Sequence, residues 1–329
     1  LPFDVKYFEN KLFISNIIDE NFQFNSNDEL VSINNVKVED IWQRMSLMQE
    51  RDGFTESFSY ALIEKRFRLY YLYIYGVQNE YLIEYKTNSG EIKRTTVLPT
   101  NKKLIEKKKI GLSSNFKKII ENNWCSFSYD SISNVAYLKI VTFSDRKEFK
   151  KYYPAVFKFL SQKEATNIVI DLRDNPGGYF KNGNAFLTYF TPKKFELNFQ
   201  KPKKIETKNK YVTLKKWTKW TKVAFDIKPS KHKVSGKTAE TFSYKPSKFQ
   251  FKGKVNVITN GITFSQAALV AAHLKEYGAV FYGQETGGAE IGCNGILDYD
   301  LVLPNSSLAV TIPMYQVKSK SNKGQFGYG

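Results

Sequence analysis

Hydrophobic and polar positions recur along this chain with two periods, near two and near 3.6, and the switches between them mark its elements. Residues 10–19, NKLFISNIID, and 28–35, DELVSINN, alternate with the strand period, the second ending in an Asn34–Asn35 turn. VEDIWQRMSLMQ at 38–49 places Ile41, Met45 and Met48 on one side of a helix, a core-facing stripe. TESFSYALIEKRFRLYYLYIYG at 55–76 predicts a second helix, opened by a Thr-Glu-Ser cap region and closed by Gly76. YLIEYKTNSGEIKRTTVL at 81–98 predicts a hairpin turning at Asn88-Ser89-Gly90, and polar, lysine-rich residues 100–115 predict a linker.

A second pattern follows. NVAYLKIVTF at 134–143 predicts a strand. Residues 145–162 predict a helix with Phe149, Tyr152 or Tyr153, Val156 and Phe157 inward, interrupted or restarted at Pro154. NIVIDL at 167–172 is nearly all apolar, the mark of a strand buried on both faces. A short helix at 183–190, a strand at 255–259, a helix after Ser265, a strand at 279–284 and a hairpin at 301–313 complete the series. Strands alternating with helices imply an α/β core with parallel strands. The division falls at the linker, giving a smaller α+β domain over 1–112 and a larger one over 113–329.

Composition changes the picture in one place. The formal charge is +18, and residues 193–254 hold 19 lysines against four acids. This reads first as a solvated, lysine-rich surface insert. It reads second as a contact for an anionic surface or polyanion. Tyr211, Trp217, Trp220 and Phe225 interleave with the lysines as in single-strand binders, but arginine, the better bidentate phosphate ligand, is absent, so nucleic acid is the weakest partner reading. Cys125 and Cys293 read as free thiols, one in the core and one in a loop, with a disulfide the minority reading. Neither they nor His232 and His273 have zinc-ligand spacing. No apolar run approaches the roughly 20 residues that span a bilayer. The first residues lack a signal peptide's basic region, apolar region and cleavage site, and the chain opens like a piece of a longer one.

Three loops carry candidate chemistry. VIDLRDNPGGYF at 169–180 runs a buried strand into a turn whose Gly177 and Gly178 permit close backbone approach. TNGITFSQAA at 259–268 puts Ser265 where a strand feeds a helix. A serine there is usually an N-cap. It can also be a nucleophile, since its own amide and that of Gln266 sit at the positive helix end. GQETGG at 283–288 is the third loop. All three are expected at the carboxyl ends of the parallel strands, the functional edge of such sheets. A serine oxygen with backbone donors from two loops is what acyl transfer with an oxyanion hole requires.

IVIDLRDNPGG, TNGITFSQAA, YGQETGG and LPNSSLAVTIP, in this order over roughly 116–329, resemble the C-terminal-processing (tail-specific) serine peptidases, a family that includes a tricorn-like branch. DELVSINNVKVEDIWQRM resembles the end of the PDZ-like module that accompanies many of them. The resemblance implies a crotonase-like (ClpP/crotonase) α/β core beside a PDZ-like substrate-binding domain, hydrolysis of peptide bonds, a polypeptide substrate, and no metal or organic cofactor. It also implies a periplasmic, cell-surface or extracellular location. It assigns Ser265 as the nucleophile, the Gln266 amide as one oxyanion donor, and Gly177 or Gly178 as the other.

The match departs at the general base, which a serine hydroxyl needs. In the processing branch the base is a lysine, but Ala289 stands in its place in Thr286-Gly287-Gly288-Ala289. In the tricorn-like branch it is a histidine upstream of the PDZ-like part, paired with a glutamate near the C-terminus. Both are expected outside this sequence, which opens at Leu1 and closes on GQFGYG. His273, eight residues beyond Ser265 on one helix, would lie about 12 Å along the axis, out of reach. His232, in SKHKVSG, would need the insert to fold over the site. Glu285 and Glu290 lie in the third loop and could orient a base or cap the turn. The alternative to an enzyme is a pseudo-peptidase that binds peptides or polyanions.

Overall fold

A computed structural model describes residues 1–18, 22–100, 112–144, 148–200, 211–214, 230–234, 237–318 and 327–329. The chain divides into two compact units, Leu1–Arg51 with Glu56–Ser113, and Asp52–Thr55 with Ser114–Gly329.

The first unit is an antiparallel sheet with two helices. Its strands are β1 (Asp4–Phe8), β2 (Lys11–Ser15), β3 (Glu29–Ile33), β4 (Val36–Lys37), β5 (Tyr81–Lys86) and β6 (Ile92–Val97), ordered β1-β2-β3-β5-β6 with β4 on β3. The helices are α1 (Val38–Ser46) and α2 (Ser57–Tyr75). The strand expected at 10–19 is the second half of a hairpin, because the chain turns at Glu9 and Asn10, both at positive φ. The Asn34–Asn35 turn is as expected, with φ 50° and 61°. Ile41 and Met45 are buried, but Met48 is 52% exposed because α1 stops at Ser46 and leaves it beyond the helical stripe. Gly76 closes α2 at φ 73°, its amide donating to the Leu72 carbonyl. The expected linker at 100–115 falls mostly on 101–111, outside the described residues.

The second unit holds two sheets. The first joins β7 (Lys117–Glu121), β8 (Cys125–Asp130), β9 (Val135–Ile140), β10 (Asn167–Asp171), β15 (Lys254–Thr259) and β16 (Val280–Gly283) in the order β16-β15-β10-β9-β8-β7. Strands β9, β10, β15 and β16 pair in parallel, as the alternation predicts, while β8 and β7 extend the edge antiparallel. Helices α3 (Phe149–Gln162), α4 (Phe180–Leu187) and α5 (Gln266–Glu276) accompany it. Helix α3 runs through Pro154 without a break, with Phe149, Tyr152, Tyr153, Val156 and Phe157 all buried. Aromatic rings fill this core, Phe157 stacking on Tyr189 at 4.1 Å between centroids. Each such buried ring contributes roughly 1.5–3 kcal/mol.

The other sheet is antiparallel. It orders β12 (Val212–Leu214), β17 (Gly292–Val302), β18 (Ala309–Lys318), β11 (Phe195–Gln200), β14 (Lys237–Tyr244) and β13 (Ser230–Val234) as β12-β17-β18-β11-β14-β13. Two expectations change here. The lysine-rich insert is not only a solvated surface segment: its described parts supply β11 to β14, and Leu197 of β11 packs with Val317 and Leu269 of α5. The hairpin at 301–313 is longer at both ends. The rest of the insert, at 201–210, 215–229 and 235–236, lies outside the described residues. No helix among the described residues is long and apolar enough to cross a membrane.

Candidate active site

Strands β10 and β15 are parallel neighbours with Asp171 opposite Ile258, so their carboxyl ends finish side by side. The loops that leave them are stitched together. The Thr263 hydroxyl donates to the Leu172 carbonyl at 2.9 Å, the Asp174 amide to Asn260 Oδ1 at 3.0 Å, and the Phe264 amide to the Asn175 carbonyl at 3.0 Å. This brings the diglycine turn and Ser265 to one edge of the sheet.

Ser265 stands at the N-cap position of α5, yet its side chain makes no capping hydrogen bond. Its backbone is at φ 52°, ψ −123°, outside the extended region a capping serine adopts. A non-glycine residue held there stores about 1–3 kcal/mol of strain, and such residues cluster at functional sites. The residue is half-buried, within reach of solvent.

Gly177 is pressed against it. A Cβ on Gly177, at φ 98°, would lie 2.9 Å from both Ser265 Cβ and the Gln266 nitrogen. Gly178, at φ 138°, has no more room: a Cβ there would sit 2.5 Å from the backbone of Phe143 and Ser144. The two glycine amides differ. The Gly177 N–H donates to Asn175 Oδ1 at 2.9 Å, whereas those of Gly178 and Gln266 have no acceptor among the described residues. The Gln266 side chain is fixed in turn, lying against Gly183 of α4 and donating from Nε2 to Asn184 Oδ1 at 3.2 Å.

The third loop closes on the same point. The Gly287 amide donates to the Thr263 carbonyl, and a Cβ on Gly288 would lie 3.0 Å from the Ser265 nitrogen. Ala289 is buried, and its amide donates to Asp52 Oδ2 at 3.0 Å. Cys293, expected in a loop, lies near the start of β17 beside Ser265, and neither cysteine is in a disulfide. Its thiol is pushed up to about 12, first by burial and then by Asp52, with the Ser265 hydroxyl pulling the other way. It is therefore neutral at neutral pH and a poor nucleophile. Sequence reasoning missed Asp52 and Cys293: nothing local ties residue 52 to an amide 237 positions away.

The remaining candidates lie elsewhere. Glu285 is exposed; its Oε1 accepts the Gly329 amide at 3.1 Å, and it borders a pocket of about 230 Å³ with Thr286, Tyr282 and Lys275, whose lining does not include Ser265. Glu290 is paired with Lys275 at 2.5 Å. His273 is buried on α5, its ring centroid 5.8 Å from that of Phe195, and burial lowers its pKa. The backbone of His232 is in β13; its side chain lies outside the described residues.

A buried carboxylate braces the base of the diglycine turn. Asp171 accepts the Tyr137 hydroxyl at 2.5 Å, Lys139 at 3.2 Å and a two-pronged contact from Arg173 at 3.0 and 2.8 Å. Burial alone would raise its pKa; Arg173, Tyr137 and Lys139 outweigh it and hold the carboxyl at about 2. The folded value lies below the unfolded one, so this stabilisation is complete above about pH 4 and disappears as pH falls towards 2. It amounts to on the order of 2 kcal/mol. In urea titrations across that window the parent chain is expected to lose more stability than Arg173→Met; equal slopes would remove Arg173 as the cause.

A model of peptidase family S41 matches residues 134–326, and a PDZ domain model matches residues 1–107. The chain belongs to peptidase family S41. Its fold is mixed α/β with a PDZ domain, and a peptidase of this family acts on polypeptide. Among solved structures, mature CPAF is similar over all of this chain and 76% of its own, at 13% identity and a TM-score of 0.65. Mature CPAF complexed with lactacystin matches at 14% identity and 0.63, over all of this chain and 77% of its own. No curated protein matches in sequence.

Proposed function

We propose that this chain is a serine peptidase in which Ser265 Oγ attacks the substrate carbonyl carbon. The developing oxyanion is held by the Gly178 and Gln266 amides. A base takes the Ser265 proton and passes it to the amine nitrogen as the peptide C–N bond breaks, the amine leaves, and water hydrolyses the remaining acyl-enzyme to a carboxylic acid and restores the Ser265 hydroxyl. The observation that carries this reading is the strained, uncapped Ser265 with Gly177 packed against it, and the Gly178 and Gln266 amides without an acceptor among the described residues. The base that takes the Ser265 proton is a histidine supplied from outside residues 1–329; Glu285, on Gly329, has no part in that step in this reading.

In the same reading residues 113–329 form a crotonase-like core carrying the 193–254 insert as an anionic-surface contact. Residues 1–112 form a PDZ-like domain that binds substrate chains by adding them to a strand edge. The protein works outside the cytoplasm. A fluorophosphonate probe is expected to label the full-length protein at Ser265 and to leave Ser265→Ala unlabelled. Equal labelling of both would overturn the assignment.

A second reading, a peptide-binding pseudo-peptidase, is favoured by one observation. Ala289 stands where the processing branch has its lysine, and its amide is taken by Asp52. An unlabelled parent protein that still binds extended peptides would select it.

A further inference from the structure

We propose that Asn175 is a positioning residue that selects the Gly178 amide, over that of Gly177, as oxyanion donor and fixes its distance from Ser265; this rests on the serine-peptidase reading above. Asn175 is fully buried, and besides the bond from its own amide to the Leu172 carbonyl it is bonded to Gly177, to the end of β9 and to the turn before Ser265. Its Oδ1 accepts the Gly177 amide at 2.9 Å, its Nδ2 donates to the Ile140 carbonyl at the end of β9 at 2.9 Å, and its own carbonyl accepts the amide of Phe264, the residue before Ser265, at 3.0 Å.

The first bond withdraws one of two adjacent glycine amides from the site. The second anchors the side chain to the sheet, so that withdrawal is rigid. The third ties the donor turn to the nucleophile turn through a single residue. The Gly177 carbonyl is itself pinned, accepting the Phe143 amide at 2.8 Å and the Thr142 hydroxyl at 3.1 Å. In a planar trans peptide the following N–H points opposite to that carbonyl. The Gly178 N–H is therefore directed away from Phe143 and left without an acceptor among the described residues. The first two bonds use an acceptor and a donor on separate atoms of one short side chain, which the asparagine amide supplies. Aspartate keeps the acceptor and loses the donor.

The test measures kcat per active site, titrated with a fluorophosphonate, and KM separately, for full-length parent, Asn175→Ala, Asn175→Asp and Thr142→Val, with Ser265→Ala assayed for turnover per mole of protein. Asn175→Ala is expected to lose about 10²-fold in kcat with KM changed less than about threefold, the scale of losing one oxyanion donor. Asn175→Asp, which keeps the Gly177 acceptor, loses about tenfold, and Thr142→Val, which frees the Gly177 carbonyl by one bond, loses about fivefold. A merely structural role would lower the melting point and the fraction of active sites and leave kcat per active site unchanged. That result, or an effect confined to KM, overturns the proposal. Should Asn175→Ala fail to fold, Thr142→Val decides alone: a fall in kcat at constant KM supports the proposal and an unchanged kcat overturns it. A Ser265→Ala variant as active as the parent, or a parent that takes up no phosphonate, sinks the serine-peptidase reading itself, whatever the Asn175 variants do.

Discussion

Ser265→Gly is expected to abolish peptide hydrolysis and, at the same time, to make the protein more stable. Two opposite roles for this serine predict opposite signs. A capping serine contributes about 1 kcal/mol through its side-chain bond, and a substitute without that bond destabilises the helix. Ser265 makes no such bond and is held at φ 52°, ψ −123°, where a Cβ is strained. Glycine relieves strain of about 1–3 kcal/mol. Against this it adds about 0.5–1 kcal/mol of backbone entropy to be lost on folding. The net expectation is about 1 kcal/mol of added stability, a rise of roughly 2–4 °C in the midpoint for a domain of this size. Ser265→Ala, which keeps the Cβ, is not expected to gain it. Turnover is expected to fall by several orders of magnitude in both variants, as when a serine nucleophile is removed from other peptidases. Equal midpoints for the glycine and alanine variants would mean the turn is not strained; a lower midpoint for glycine than for the parent would return Ser265 to being an ordinary cap.

What the sequence made legible follows the strength of its local signals. The buried run NIVIDL, the dense apolar residues of α3 and the glycine-bearing loops each carry their structure in a few consecutive residues. The parallel strands β9, β10, β15 and β16 followed from their alternation with helices. Gly177 meets Ser265 and Gln266 because two adjacent parallel strands end side by side; the strand pattern implied the shared carboxyl edge, not that these two strands are neighbours. The second sheet of the larger unit was hidden for a physical reason. Its strands β11 to β14 are drawn from the lysine-rich segment, where sheet positions and solvated loops look alike in composition. Asp52 and Cys293 were hidden for another: their relation to Ser265 exists only through long-range contacts. That the Gly177 amide is taken by the Asn175 side chain, while the next glycine's is not, is something no spacing rule encodes.

Gly177→Ala is expected to damage both stability and activity, and comparison with Gly278→Ala separates the reasons. Both glycines sit at positive φ, 98° and 86°, so both alanines carry the same kind of backbone strain, about 1–2 kcal/mol. They differ in what the added methyl meets. At Gly278, just past the end of α5, nothing lies within 4 Å. At Gly177 the methyl would lie 2.8 Å from the Phe264 carbonyl oxygen and 2.9 Å from the Gln266 nitrogen and Ser265 Cβ. Two of these are backbone atoms of the turn that holds Ser265, so no side-chain rotation relieves the clash and the two loops must separate. Overpacking of this kind adds about 1–3 kcal/mol to the strain. The separation also carries Ser265 and the Gln266 amide away from the Gly178 amide, so phosphonate labelling is expected to slow by about 10²-fold or more. Gly278→Ala should cost about 1 kcal/mol and label at the parent rate. Urea midpoints and labelling time courses measure both effects on the same samples. If Gly177→Ala proves no worse than Gly278→Ala in either, the close approach of the diglycine turn to Ser265 is not what organises this site, and a donor from another segment must be sought.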